Sequence, residues 1–238
     1  MNQASMMNFE GMTLGRDDAT WPKYQELLKQ NVIPVPEESE EDLLAQHKVL
    51  AVSFYTPDYA EPAKRLAGTL DKFKIPHDLV GIAGSKGDRA WYTAEVQKAS
   101  FLLKMLDKHP DYDTVVWLDS DGEMIRFPRL FWHIPAVLGF HYQAFKMPMD
   151  ATVVVHQRSR KVLESWVKVS QVALEEKWKC PSQTALNVVL ERDDVEWVQL
   201  PRAYAVLWRW NDGRPTDWAV FMHERWNRNS KVPTRGTK

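Results

Sequence analysis

Between Val49 and Leu118, three short apolar runs alternate with two helical patterns, and this order constrains the chain more than any other feature. Val49 to Phe54 is rich in strand formers and ends at Tyr55-Thr56-Pro57-Asp58. Ala63, Leu66, Ala67, Leu70 and Phe73 then recur at three- and four-residue spacing, which predicts a helix with one apolar face. Asp78 to Ala83 reads as a second strand, followed by a Gly84-Ser85-Lys86-Gly87-Asp88 loop. Ala94 to His109 reads as a second helix, stopped by Pro110. Thr114 to Leu118 is a third strand, and it runs directly into Asp119-Ser120-Asp121-Gly122. Such alternation predicts an α/β fold with a mostly parallel central sheet flanked by helices. Ligands of these sheets bind beyond the carboxyl ends of the strands, where Thr56, Asp119 and Asp121 fall.

The flanking segments are less regular. Residues 1–47 read as peripheral, with an amphipathic candidate at Tyr24 to Leu28 and a proline-containing stretch at 32–36. The acidic cluster Glu37, Glu38, Glu40, Glu41 and Asp42 is expected to be a solvated helix start. Phe127 to Phe145 mixes proline, histidine and aromatics without a clear period. Ala151 to Val155 is a predicted strand. Ser159 to Glu175 is a predicted helix with Val162, Trp166, Val169 and Ala173 on one face. Pro181 opens a further helix over 182–190, a position that proline tolerates. Glu196 to Leu200 and Ala203 to Trp208 are candidate strands.

Composition narrows the function classes. With 238 residues, 44% of them apolar, the chain can bury a sizeable core. Its 31 Lys and Arg nearly balance 32 Asp and Glu, which excludes a globally basic nucleic-acid wrapper. One cysteine, Cys180, excludes an intramolecular disulfide framework or a Cys-rich zinc site. No apolar run approaches the roughly 18–20 residues that span a bilayer. The first twenty residues lack a basic region leading into an apolar stretch, so the expected location is cytoplasmic. The 11 Trp are more than packing usually needs. Trp91, Trp132, Trp208 and Trp210 suit stacking on sugar or base faces, though each taken alone is more often core packing.

The sharpest local signal is Asp119-Ser120-Asp121. Residues two apart in an extended segment point to one side, so both carboxylates can converge on one cation. Paired carboxylates among oxygen donors suit Mg2+ or Mn2+. Taken without context, the same residues make an ordinary Asx turn closing a strand. Gly122 would let the chain turn away next to a ligand.

In order and spacing, these segments resemble the nucleotide-diphospho-sugar glycosyltransferases of GT-A fold, over about residues 48–231. Phe54-Tyr55-Thr56-Pro57-Asp58-Tyr59 is similar to that family's nucleotide-contacting first loop. Trp91 and Lys98 resemble its tryptophan and lysine segment, and Asp119-Ser120-Asp121 its metal-binding DxD. Ser182-Gln183 stands where the family often has Asp-Gln, and Phe221-Met222-His223 resembles its C-terminal histidine. The resemblance implies donor binding by Tyr55, Thr56, Trp91, Lys98, Asp119, Arg228 and Lys231. It implies a divalent metal, Mn2+ or Mg2+, on Asp119, Asp121 and His223, and a nucleotide-sugar donor with UDP preferred. It also implies a donor half at 48–123, an acceptor half at 124–231 and a basic tail at 232–238. The family usually has Gly near Ala151-Thr152 where this chain has Asp150, so acceptor identity transfers least.

Catalysis by such a protein would need negative charge on the leaving diphosphate to be stabilised. An inverting reaction also needs a base. Asp150, Asp212 and Asp217 lie in suitable segments, with Asp150 preferred, and Gln183 is assigned to the acceptor side. More loosely, the chain resembles compact phage enzymes that glycosylate hydroxymethylated pyrimidines in DNA, which would act in the host cytoplasm. Residues 200–238 carry eight Lys or Arg against Asp212, Asp217 and Glu224, charge suited to phosphates. Glycans, proteins and small molecules remain alternative acceptors. A nucleotidyltransferase would be expected to carry a glycine-rich basic loop after the first strand, and Tyr55 to Tyr59 has neither glycine nor lysine. A non-catalytic nucleic-acid-binding module leaves the buried strand ending in Asp119 and Asp121 unexplained.

Overall fold

A computed structural model describes residues 37–46, 49–84, 90–142, 147–193, 195–207 and 218–223. The candidate helix at Tyr24 to Leu28 lies outside them. The acidic cluster leads into α1 (Glu40–Gln46), as expected. Ser39 Oγ accepts the Asp42 amide at 3.1 Å, which satisfies one of the helix's free N–H groups.

The helices and strands alternate as the sequence predicts. β1 (Val49–Tyr55), α2 (Ala60–Lys72), β2 (His77–Gly81), α3 (Ala90–Val96), α4 (Lys98–Lys108) and β3 (Thr114–Leu118) follow in order. The predicted second helix is thus two, broken at Gln97. After β4 (Gly122–Met124) come β5 (Leu138–Tyr142), β6 (Pro148–His156), α5 (Arg160–Glu175), α6 (Pro181–Arg192) and β7 (Trp197–Gln199). β8 (Val206–Leu207) and β9 (Phe221–His223) complete the described elements.

Six strands form one sheet in the order β2-β1-β3-β6-β5-β7, and β8 and β9 join β4 in a second, three-stranded sheet. β1 pairs parallel with β2 and β3, and β5 with β7, while β6 is antiparallel to both its neighbours. One reversed strand in six leaves the sheet mostly parallel, the predicted fold class.

Both faces of this sheet are buried, which explains the uninterrupted apolar runs. Leu50, Val52 and Phe54 of β1, Val115 and Trp117 of β3, and Val153 and Val155 of β6 face one hydrophobic layer. Helices α4, α5 and α6 supply its other side through Leu102, Leu163, Trp166 and Leu186. The intervening residues Val49, Ala51, Val116, Leu118 and Val154 face a second layer. That layer is closed by Leu43 of α1, Leu66 and Leu70 of α2, and Leu130 to Trp132. Trp132 therefore serves as core, stacked on Phe127 at 5.0 Å between ring centres.

The irregular stretch 127–145 contains β5, which the sequence does not announce. Its Leu138, Phe140 and Tyr142 suit a strand, but Gly139 interrupts the run and prolines and histidines surround it, so pairing to β6 and β7 is what marks it as a strand. The predicted strand 203–208 shrinks to β8, because Arg202–Tyr204 forms a 3-10 turn. Trp208 lies outside the described residues.

Trp166 ties α5 to α6: its ring is fully buried and Nε1 donates to the Ser182 carbonyl at 3.0 Å. Trp166→Ala is expected to cost about 3–5 kcal/mol, read as a lowered denaturation midpoint in urea. A loss below about 1 kcal/mol would show that the α5–α6 layer does not depend on this side chain.

Candidate metal centre

Strand alternation decides where the first aspartate goes. Trp117 faces the α4 layer, so Asp119, two residues on, emerges on the same side. Trp117 Nε1 donates to Asp119 Oδ1 at 2.8 Å. Lys98, the first residue of α4, donates to the same oxygen from Nζ at 3.1 Å. Its ammonium also donates to the Asp150 carbonyl at 3.2 Å and lies 3.0 Å from Asp150 Oδ2 and 3.8 Å from Glu95 Oε2. Only 2% of the Lys98 side chain is exposed.

Asp150 reaches this position through an irregularity. The β5–β6 register shifts between Phe140 and His141, leaving residues 150–152 of β6 without β5 partners. Bulges of this kind re-aim side chains, and strict alternation from Val153 would have put Asp150 on the opposite face.

The second aspartate and the histidine arrive by another route. The Gly122 amide donates to the Asp119 carbonyl at 3.0 Å, closing a turn that carries Asp121 and leads into β4. β9 pairs antiparallel with β4, and this register sets His223 opposite Gly122. His223 Nδ1 then lies 3.3 Å from Asp121 Oδ1, and Nε2 lies 3.7 Å from Asp119 Oδ2. One ligand atom from each of Asp119, Asp121 and His223 falls within 4.8 Å of the others. Gly122 is needed for space rather than for turning: a Cβ there would stand 2.0 Å from Phe221 Cζ.

The electrostatics suit a cation. Burial alone would raise the Asp119 carboxyl. The Lys98 charge, then His223 and the hydrogen bonds from Trp117 and Lys98, outweigh burial and hold it below 3.8. Burial alone would depress Lys98, but Asp119, Asp150 and Glu95 push it above its ordinary value, so it stays charged. Desolvation, with repulsion from Asp150, Asp119 and Asp121 added and Lys98 opposing, pushes Glu95 up to about 8. Lys98 thus faces Asp119, Asp150 and Glu95, while Asp121 lies against His223. His223 Nδ1 is buried and makes no hydrogen bond among the described residues. An imidazole nitrogen so placed against the oxygens of Asp119 and Asp121 fits a divalent ion.

The other expected site residues divide. Tyr55 and Thr56 sit at the carboxyl end of β1, whose parallel register with β3 sets Val52 opposite Trp117, so they share an edge with Asp119. Gln183 lies in the first turn of α6, half-buried, one turn before Asn187, which accepts a hydrogen bond from the Tyr142 hydroxyl at 2.8 Å. Trp91 is on α3, with its side chain outside the described residues, as are Arg228, Lys231, Asp212 and Asp217. Lys98, expected at the donor, has its ammonium enclosed by Asp119, Asp150 and Glu95. Glu95 and Trp117 go unassigned in the sequence reading. Their signals are a Glu three residues before a Lys within the predicted helix 94–109, which the structure breaks at Gln97, and a Trp two residues before an Asp at the end of one strand.

Two outcomes follow from this geometry. Gly122→Ala should cost about 1–3 kcal/mol and weaken Mn2+ binding, because Phe221 must shift and carry β9 and His223 with it. Unchanged Mn2+ titration in that variant would uncouple β9 from the site. For Glu95, the native pKa near 8 exceeds the ordinary 4.5, so the unfolded chain loses this proton first. Its contribution to stability is therefore greatest below about 4.5 and declines as pH rises toward 8. In chelator, Glu95→Gln should gain on the wild type across that window and hold a constant lead above it. A melting-temperature difference independent of pH would show that Glu95 does not titrate there.

No protein-family model matches the chain, and no curated protein matches it in sequence. Solved structures do. One is a glycosyltransferase involved in the glycosylation of the major capsid of PBCV-1, with TM-score 0.59 and 13% identity. That match covers 74% of this chain and 93% of the other. Another is the glycosyltransferase GlyE of Streptococcus pneumoniae TIGR4, with TM-score 0.54 and 10% identity, covering 74% of this chain. This chain spans 54% of GlyE's length in that match. The fold that presents Asp119, Asp121 and His223 is thus one found in glycosyltransferases.

Proposed function

We propose that the protein is a metal-dependent glycosyltransferase that moves a sugar from a nucleotide-diphosphate sugar, preferably a UDP-sugar, to an acceptor hydroxyl. The observation that carries this reading is the convergence of Asp119, Asp121 and His223 at the carboxyl edge of a glycosyltransferase fold. Asp119, Asp121 and His223 would hold Mn2+ or Mg2+, which when bound supplies positive charge against the leaving diphosphate. Tyr55 and Thr56 border the nucleotide, and Trp91 is assigned to the donor side. Arg228 and Lys231 add positive charge to the diphosphate. Asp150 is the carboxylate assigned to the acceptor hydroxyl, with Gln183 on the acceptor side. Among the described residues no helix is long and apolar enough to cross a membrane.

For the acceptor, the hydroxymethyl group of a modified pyrimidine in DNA is the first choice, supported by the basic residues of 225–238. A protein-linked acceptor is the second, favoured by the capsid-glycosylating role of the PBCV-1 neighbour.

Two measurements test the proposal. Wild type should bind UDP by calorimetry at least about 10-fold more tightly with Mn2+ than in chelator, and Asp121→Ala should lower metal-dependent UDP-sugar turnover at least about 100-fold. Full turnover in Asp121→Ala would remove the metal assignment. Incubation with UDP-sugars, Mn2+ and hydroxymethylated or plain DNA, followed by nucleoside mass spectrometry, should show a hexose or pentose on the hydroxymethylated base alone. Donor hydrolysis without a labelled nucleoside would turn the acceptor to protein, glycan or small molecule.

A further inference from the structure

We propose that Lys98 is a positioning residue: it acts through the Asp119 carboxylate, making Asp119 a one-oxygen metal ligand, and does not touch the donor phosphates. Lys98 is given this role on the premise that Asp119, Asp121 and His223 form the metal centre.

The oxygens of Asp119 have separate partners. Oδ1 receives Trp117 Nε1 at 2.8 Å and Lys98 Nζ at 3.1 Å. Oδ2 is the oxygen that faces His223, at 3.7 Å from Nε2. Two donors on one oxygen fix the carboxylate's rotation and direct the other oxygen to the cluster. The Lys98 ammonium is already surrounded: it donates to the Asp150 carbonyl at 3.2 Å and lies 3.0 Å from Asp150 Oδ2 and 3.8 Å from Glu95 Oε2. With 2% of its side chain exposed and Asp119, Asp150 and Glu95 around its ammonium, it is closed in by carboxylates. A bound diphosphate would have to displace one of them to meet it.

This arrangement also selects among cations. Ca2+ favours six to eight oxygens, often with bidentate carboxylates, whereas Mg2+ keeps few protein ligands in strict geometry. An Asp119 with Oδ1 already occupied offers a single oxygen, which disfavours Ca2+. Freeing Oδ1 should relax that preference.

The test uses the whole protein and reads Mn2+ alone by electron paramagnetic resonance, Ca2+ by competition, and UDP in chelator by calorimetry. Lys98→Met should weaken Mn2+ binding roughly 10–100-fold, the usual effect of losing a partner that orients a metal ligand. It should raise the Ca2+ to Mn2+ affinity ratio and leave metal-free UDP binding unchanged. Trp117→Phe, which keeps an aromatic ring but removes the other donor, should shift Mn2+ affinity and the ratio in the same direction. Tighter Mn2+ binding in Lys98→Met would mean that the lysine acts only as a repelling charge, and would overturn the proposal. So would a loss of metal-free UDP binding with Mn2+ affinity intact, the signature of a phosphate ligand. Lys98→Met also leaves Asp150 without its cation, so Lys98→Met/Asp150→Asn is measured beside it. Persistent weak Mn2+ binding in the double variant supports positioning, and recovery to wild-type affinity refutes it. Failure of wild-type protein to bind Mn2+ would instead sink the metal centre itself.

Discussion

Burial of the central sheet on both faces is the constraint from which the site follows. β3 is covered by one layer through Val115 and Trp117 and by another through Val116 and Leu118. Apolar cover ends at Leu118, and the next residue is a carboxylate at the rim of a water-poor layer. A charge there is tolerated only if paired. Trp117 and Lys98 supply the partners, one from the same strand and one from the helix packed over it. The core and the candidate metal centre are therefore continuous: the ring that packs against Phe54 and Phe101 also holds the first ligand.

The cluster behind Asp119 is not built for stability alone. A buried ion pair usually does little better than a well-packed apolar substitute, and removing one partner costs about 3–5 kcal/mol. Here Lys98 joins three elements, α4, β3 and β6, through Asp119 and Asp150. The carboxylates outnumber the ammonium, and they do so on the side open to His223. An excess of negative charge held rigid by its own hydrogen bonds is poor design for an isolated core and good design for a divalent cation.

His223 depends on a separate structure, the small sheet of β4, β9 and β8. Pairing sets Gly122 opposite His223, and the glycine's missing Cβ is the space that Phe221 occupies. The histidine is thus brought to the aspartates by backbone register across about one hundred residues of chain, with a tightly packed phenylalanine as its anchor. Such long-range pairing has high entropic cost, and cation binding across it would couple the closing of β9 to the filling of the site.

The sequence by itself determined the α/β layering and the position of Asp119 and Asp121, because burial on both faces writes continuous apolar runs and local periodicity is legible without a partner. Thr114 to Leu118 is a strand in the sequence and in the structure, with the same ends. Tertiary structure alone decided what surrounds the aspartates. Lys98 meets Asp119 only because α4 is laid over β3. Asp150 is brought to Lys98 only by the β5–β6 register shift, and β5 reads as irregular until β6 and β7 pair with it. These features depend on contacts between residues tens of positions apart, and no local propensity carries that information, since a hydrogen bond from α4 to β3 leaves no period in either segment.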